Sequence, residues 1–170
     1  MTQKIDKLPM RMLIIEDDED TSFIQMRAFE QLGFKVIHVK NGDEAYAKIL
    51  DYKPHIIVLD LELPGTPGPA IASKILEDDR LKSIPIVVDS VHVSNFSNPD
   101  GLDTQYFWAQ YMKTRNKEPR IVQKSEGNSI FGLITEVGLA CGETYGAIPL
   151  KLMDYFKRMG PTNPPSFEVV

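Results

Sequence analysis

Short, wholly apolar runs that stop abruptly at an acid constrain this chain more than any other feature. Arg11-Met-Leu-Ile-Ile15 runs straight into Glu16-Asp17, and His55-Ile-Ile-Val-Leu59 runs into Asp60. Ile84-Pro-Ile-Val-Val88 repeats the pattern and meets Asp89-Ser90. A strand with no polar alternation has both faces covered, which is the condition of a strand inside a parallel sheet. Lys35 to Val39 and the weaker Arg120 to Gln123 read as two further strands.

The segments between these runs carry helical periodicity. Asp20 or Thr21 is placed to cap a helix that ends at Gly33, with Ile24, Ala28 and Leu32 as its buried stripe. Asn41-Gly42 marks a turn, and Asp43 to Leu50 a compact helix whose acidic first turn suits the positive end of the helix dipole. The loop from Leu63 to Gly68 is too rich in Pro and Gly to continue any element. Ile71, Ile75 and Leu76 mark a third helix, and Ile130, Leu133, Ile134 and Val137 mark the last helix of the core. Strands alternating with helices imply right-handed crossovers and a doubly wound α/β sandwich with helices on both faces of a parallel sheet. Ligands of such sheets sit beyond the carboxyl ends of the strands, where the winding reverses.

The residues ending the strands are therefore the ones that carry chemistry. They gather the carboxylates of Glu16, Asp17 and Asp60 with the Ser90 hydroxyl and the Lys124 ammonium. Magnesium takes hard oxygen ligands and keeps several waters, so two or three carboxylates on one rim suit it. Crowded carboxylates in turn need a cation to offset their mutual repulsion. Phosphoryl transfer asks mostly for positioning and charge neutralisation, with Asp60 as nucleophile and Lys124 and Ser90 contacting the incoming phosphoryl oxygens.

Four stretches, LIIEDD (13 to 18), PHIIVLDLELPG (54 to 65), IPIVVDS (84 to 90) and IVQKS (121 to 125), occur in the order in which they occur in the response-regulator receiver domain, which the chain resembles over roughly residues 10 to 140. The resemblance implies a flavodoxin-like five-stranded parallel sheet of order 2-1-3-4-5. It implies an acidic metal-binding pair at Glu16 and Asp17, a phosphorylated aspartate at Asp60, a switch hydroxyl at Ser90 and a phosphate-contacting lysine at Lys124. It also implies a metal contact from the backbone carbonyl of Glu62, with the side chains of Glu62 and His92 flanking the site. A histidine kinase or histidine phosphotransfer protein would supply the phosphoryl group, and a downstream protein target would read it. Such a protein is not an enzyme in the ordinary sense, since it catalyses only its own phosphorylation and dephosphorylation.

The chain departs from that family in three places. Ser125 stands where proline is typical after the lysine, Ile121 stands where an aromatic switch residue is common, and the segment from about 91 to 119 is lengthened and rich in aromatics. These departures motivate a second reading, a phosphorylation-independent pseudo-receiver that binds partners constitutively. A magnesium-dependent phosphatase is disfavoured, because Glu62 stands where such enzymes place a second aspartate. Phe107, Trp108, Tyr111 and Met112 read first as packing, with a partner surface as the alternative, since the face of helix 4, strand 5 and helix 5 commonly carries output in the family.

With 170 residues the chain holds one domain with additions. Residues 1–9 read as a tail, 10–142 as the receiver domain, and 143–170 as an extension with a helix over about 149–159. That helix carries Leu152, Tyr155, Phe156 and Met159 on one face, so it is expected to dock on its own domain, with homodimer formation or a membrane surface as alternatives. The final PTNPPSFEVV is expected to be extended or mobile. A net charge of −5 gives no general attraction to nucleic acid. A single cysteine, Cys141, and an N-terminus without an apolar leader run point to a cytoplasmic protein without a membrane span.

Overall fold

The computed structural model describes residues 9–91, 102–124, 129–159 and 168–170. Strands β1 (Arg11–Ile15), β2 (Lys35–Val39), β3 (Ile56–Leu59), β4 (Ile86–Ser90) and β5 (Arg120–Gln123) form one sheet, all its pairs parallel, in the order β2-β1-β3-β4-β5. Helices α1 (Glu19–Gln31), α2 (Gly42–Tyr52), α3 (Gly68–Glu77), α4 (Leu102–Arg115) and α5 (Ser129–Tyr145) connect and cover it. The expected α/β doubly wound architecture and strand order are those observed. The winding reverses between β1 and β3, which places a crevice at their carboxyl ends.

The apolar runs are buried on both faces because each strand feeds two cores. Met12 and Ile14 of β1, Ile56 and Val58 of β3, and Val87 of β4 join Phe29 of α1 and Leu133 and Val137 of α5. Leu13, Ile15, Ile57, Leu59, Ile86 and Val88 point the other way, to Ile49 of α2, Ile71 and Ile75 of α3, and Phe107 and Tyr111 of α4. Strand alternation thus fixes which face each residue beyond a strand end continues.

Helix α1 is rotated from its expected stripe. Ile24 is 56% exposed and Ala28 and Leu32 are only partly covered, while Ser22, Gln25 and Phe29 face the core. The packing of Phe29 into the core selects this face. Asp18, rather than Asp20 or Thr21, is the N-cap and accepts a hydrogen bond from the Thr21 N–H at 2.7 Å, so the helix begins earlier than expected. Strand β4 likewise begins at Ile86 rather than Ile84 and carries Asp89 and Ser90 inside its ladder.

The C-terminal extension docks on the domain. Helix α5 runs on to Tyr145, past the expected boundary at 142, and is followed by β6 (Ala147–Ile148), α6 (Leu150–Met159) and β7 (Glu168–Val169). Strands β6 and β7 pair in parallel, so residues 168–169 of the tail, expected to be extended or mobile, form a short ladder. Leu152, Met153 and Phe156 of α6 join the core on the α1 and α5 side, whereas Met159, expected on the same face, is exposed. Gly138 makes this seam possible, because a Cβ there would stand 2.3 Å from the Phe156 ring. Burying Leu152 and Phe156 contributes about 2 to 3 kcal/mol each, enough to hold a short helix in place.

Among the described residues no helix is long and apolar enough to cross a membrane.

Candidate functional site

Register and alternation build the site. Ile15 pairs with Leu59 and Leu59 with Val88, so Glu16 and Asp60 follow the last paired positions side by side, and Asp89 is the residue after Val88. All three continue the strand face that feeds the α1 and α5 core. Lys124 follows Gln123 of β5, two residues after Val122 of that same face, and its N–H donates to the Ser90 carbonyl at 3.0 Å. The residues distant in sequence thus become neighbours on one rim.

Glu16, Asp17 and Asp60 each offer an oxygen within 4.8 Å of the others. Glu16 and Asp60 are 2% and 6% exposed, whereas Asp17 faces solvent. Lys124 Nζ donates to Asp60 Oδ2 at 2.7 Å and to Glu16 Oε2 at 2.5 Å. The other oxygens are held by backbone: the Glu62 N–H donates to Asp60 Oδ1 at 3.2 Å and the Asp18 N–H to Glu16 Oε1 at 3.1 Å. The side chain of Glu62 is exposed, and the contact Glu62 makes with Asp60 is through its N–H.

One glycine and two histidines tighten the frame. Gly68 opens α3 directly against the loop that follows β3, where a Cβ would lie 2.2 Å from the Asp60 carbonyl oxygen. His38 Nε2 lies 2.6 Å from the Glu16 carbonyl, which can only accept, so the ring carries its proton there. His55 accepts the Arg11 N–H through Nδ1, and burial holds its pKa below the usual histidine value. Both histidines are structural in this arrangement.

Burial pushes the Glu16 carboxyl up to about 7, against the pull of the Lys124 hydrogen bond and charge. Burial also works against the Lys124 ammonium, but its bonds to Asp60 and Glu16 outweigh it and hold the pKa above the usual lysine value. The Ser90 hydroxyl is wholly buried and has no hydrogen-bond partner among the described residues.

The donor set fits a hard divalent ion. It consists of carboxylate oxygens gathered on one rim, one of them on an exposed residue, with no soft ligand among them. His92 and Ser125 lie outside the described residues. Of the aromatic segment, Phe107 and Tyr111 are core residues, while Tyr106 and Met112 are exposed. Ile121 is partly buried and packs against the α2, α3 and α4 core.

Two residues given no role from the sequence now adjoin the site. Asp89 is 2% exposed and Gln25 of α1 is 3% exposed, and the Gln25 amide donates to Asp89 Oδ2 at 2.6 Å. The available signal was parity, since counting two residues from Val87 places Asp89 on the face of Asp60.

A family model described as the response regulator receiver domain matches residues 12–107. The chain is 34% identical over 76 residues to the phosphate regulon transcriptional regulatory protein PhoB of Pseudomonas aeruginosa, a match covering 45% of this chain and 33% of that protein. It is 29% identical over 80 residues to the polar-differentiation response regulator DivK of Brucella anthropi, covering 47% of this chain and 65% of that one. The chain thus spans from a third to just under two thirds of these relatives' length. Among solved structures, the receiver domain of a sensor histidine kinase from Pseudomonas aeruginosa PAO1, with magnesium coordinated in its active site cleft, aligns with a TM-score of 0.60. That alignment covers 79% of this chain and 99% of the other at 16% identity, a likeness of fold.

Proposed function

This chain belongs to the response regulator receiver family, and from that premise we propose that it accepts a phosphoryl group on Asp60 and thereby switches a protein-binding surface. The observation that carries the reading is the Lys124 ammonium shared by Asp60 and Glu16 beside the carboxylate cluster at the switch point of the sheet.

The donor is a phosphohistidine of a histidine kinase or histidine phosphotransfer protein. An Asp60 oxygen forms the new P–O bond as the P–N bond breaks, and the departing imidazole keeps its electron pair and takes a proton. Lys124 follows the charge from the Asp60 carboxylate to the phosphoryl oxygens. The Ser90 hydroxyl, which has no partner among the described residues, donates to a phosphoryl oxygen. Magnesium, held by Asp17, Asp60 and Glu16 with the Glu62 carbonyl, would neutralise charge between nucleophile and phosphoryl group. The protein is not an enzyme toward other substrates on this reading, and it acts in the cytoplasm.

Output is protein binding, through the surface of α4, β5 and α5. Because Ile121 replaces the aromatic that would rotate, the signal passes through the Ser90 end of β4 into α4 rather than through a ring. Incubation with acetyl phosphate and magnesium, followed by mass spectrometry, tests the reading: wild type gains one phosphoryl group and Asp60→Asn gains none. Absence of labelling in wild type, with partner binding intact, would instead favour the constitutive pseudo-receiver.

A further inference from the structure

The loop that follows Asp60 is fastened from α2, a helix with no residue in the site. Residues 61–67 carry Glu62, whose N–H donates to Asp60 Oδ1 at 3.2 Å, so the setting of this loop decides how one oxygen of Asp60 is held. At its base the loop is tied to its own far end, where the Gly68 N–H donates to the Leu61 carbonyl at 3.0 Å. The outer part, Pro64 to Thr66, meets the start of α2 instead. The Gly42 N–H donates to the Pro64 carbonyl at 3.0 Å, and a Cβ on Gly42 would stand 1.7 Å from the Thr66 carbonyl oxygen, so the two backbones are in contact.

Asp43 closes that contact. Its Oδ1 accepts both the Thr66 N–H at 2.9 Å and the Thr66 hydroxyl at 2.7 Å, between residues 23 apart in the chain. An acid in the first turn of a helix is ordinarily explained by capping or by the helix dipole. Capping is done here by Asn41, whose side chain accepts the Asp43 N–H at 2.8 Å. The dipole is served equally by Glu44, the other acid of the turn. Neither role accounts for a carboxylate turned onto Thr66.

The loop has little else to hold its outer part. Leu61 and Leu63 pack against the core, but Glu62, Pro64, Gly65 and Pro67 are exposed. A segment with few buried contacts opens easily unless hydrogen bonds restrain it, and Thr66 is where the side chain of Asp43 supplies two of them.

We propose that Asp43 is a positioning residue of the phosphoacceptor: by holding Thr66 it keeps the loop in the setting from which the Glu62 N–H orients the Asp60 carboxylate. The proposal rests on Asp60 being the phosphoacceptor. Asp43 touches neither Asp60 nor the phosphoryl group. It acts through the loop, and because the rate of a displacement is sensitive to small misplacements of the nucleophile, loosening the loop slows transfer without removing any reacting group.

The test compares Asp43→Ala with Glu44→Ala, which removes the same charge from the same turn and leaves the Thr66 bonds in place. Two quantities are read. Without metal, NMR hydrogen exchange at the Glu62 amide is about tenfold faster in Asp43→Ala than in wild type or Glu44→Ala, the change expected when the restraint lost is worth about one hydrogen bond. At saturating magnesium, the rate of labelling by acetyl phosphate falls about tenfold in Asp43→Ala, less than a full ångström of misplacement costs, because the Gly42 bond to Pro64 remains. Glu44→Ala labels as wild type does, and Asp43→Asn, which keeps the accepting oxygen, recovers most of the rate. Thr66→Val removes only the hydroxyl and moves both readings the same way by less, which decides the matter should Asp43→Ala fail to fold. Equal readings in Asp43→Ala and Glu44→Ala, or a slower rate with Glu62 exchange unchanged, overturn the proposal. Failure of wild type to label would overturn the phosphoacceptor reading and the rate arm with it, while the exchange arm would still decide whether Asp43 holds the loop.

Discussion

Lys124 Nζ lies 2.7 Å from Asp60 Oδ2 while also donating to Glu16, so a single ammonium ties the carboxyl ends of β1, β3 and β5 together. The two carboxylates and the lysine are all largely withdrawn from solvent, with side-chain exposures of 2%, 7% and 14%. In such a setting the loss of one member costs more than its own interaction, because a buried charge is left without a partner.

Lys124→Ala is therefore expected to lower stability by about 3 kcal/mol in the presence of a chelator. Magnesium should restore a large part of that loss, since the ion answers the same unpaired carboxylates. Urea denaturation with and without magnesium checks this. A variant as stable as wild type under both conditions would contradict the role assigned to the lysine.

Stability without metal should fall as pH rises. Glu16 and Asp89 stand above their ordinary values, near 7 and near 6, chiefly through burial. The folded protein therefore holds protons that the unfolded chain releases, and the stability this confers is complete below the ordinary carboxylate range and lost through pH 6 to 7. The loss between pH 5 and pH 8 is on the order of 3 kcal/mol, read as a shift in urea midpoint. Asp89→Asn should reduce the slope, and a profile rising over this window would contradict the account.

How much of this was legible in the sequence differs from element to element. The apolar runs ending in acids dictated central strands, and the strand ends dictated where to look, so the cluster of Glu16, Asp17, Asp60 and Lys124 was identifiable before any coordinates. The face of α1 was not, because the segment offers two overlapping stripes, Ile24-Ala28-Leu32 and Ser22-Gln25-Phe29, and only packing decides between them. Gln25 was hidden by the same ambiguity, since a glutamine on a helix reads as a surface residue until the helix is rotated. Asp89 was visible as a residue, but the partner it meets, Gln25, comes from α1. The short β6 and β7 ladder carries too few residues to produce a periodic signal.

The extension is part of the domain's core, and its seam is testable. Gly138→Leu would drive a side chain into the Phe156 ring and lift α6, while Phe156→Ala leaves a cavity and costs about 3 to 4 kcal/mol. Limited proteolysis should release residues 150–170 from Gly138→Leu much faster than from wild type. Equal protection in both would mean that α6 does not pack as described.

The central claim is that Asp60 is the group that receives phosphate, and the most direct measurement is mass spectrometry of peptides after incubation with acetyl phosphate and magnesium. The account predicts one added phosphoryl group on the peptide holding Asp60, lost in Asp60→Asn and strongly reduced in Lys124→Ala or with chelator. No added phosphoryl group on wild type, or labelling undiminished in Asp60→Asn, would contradict it.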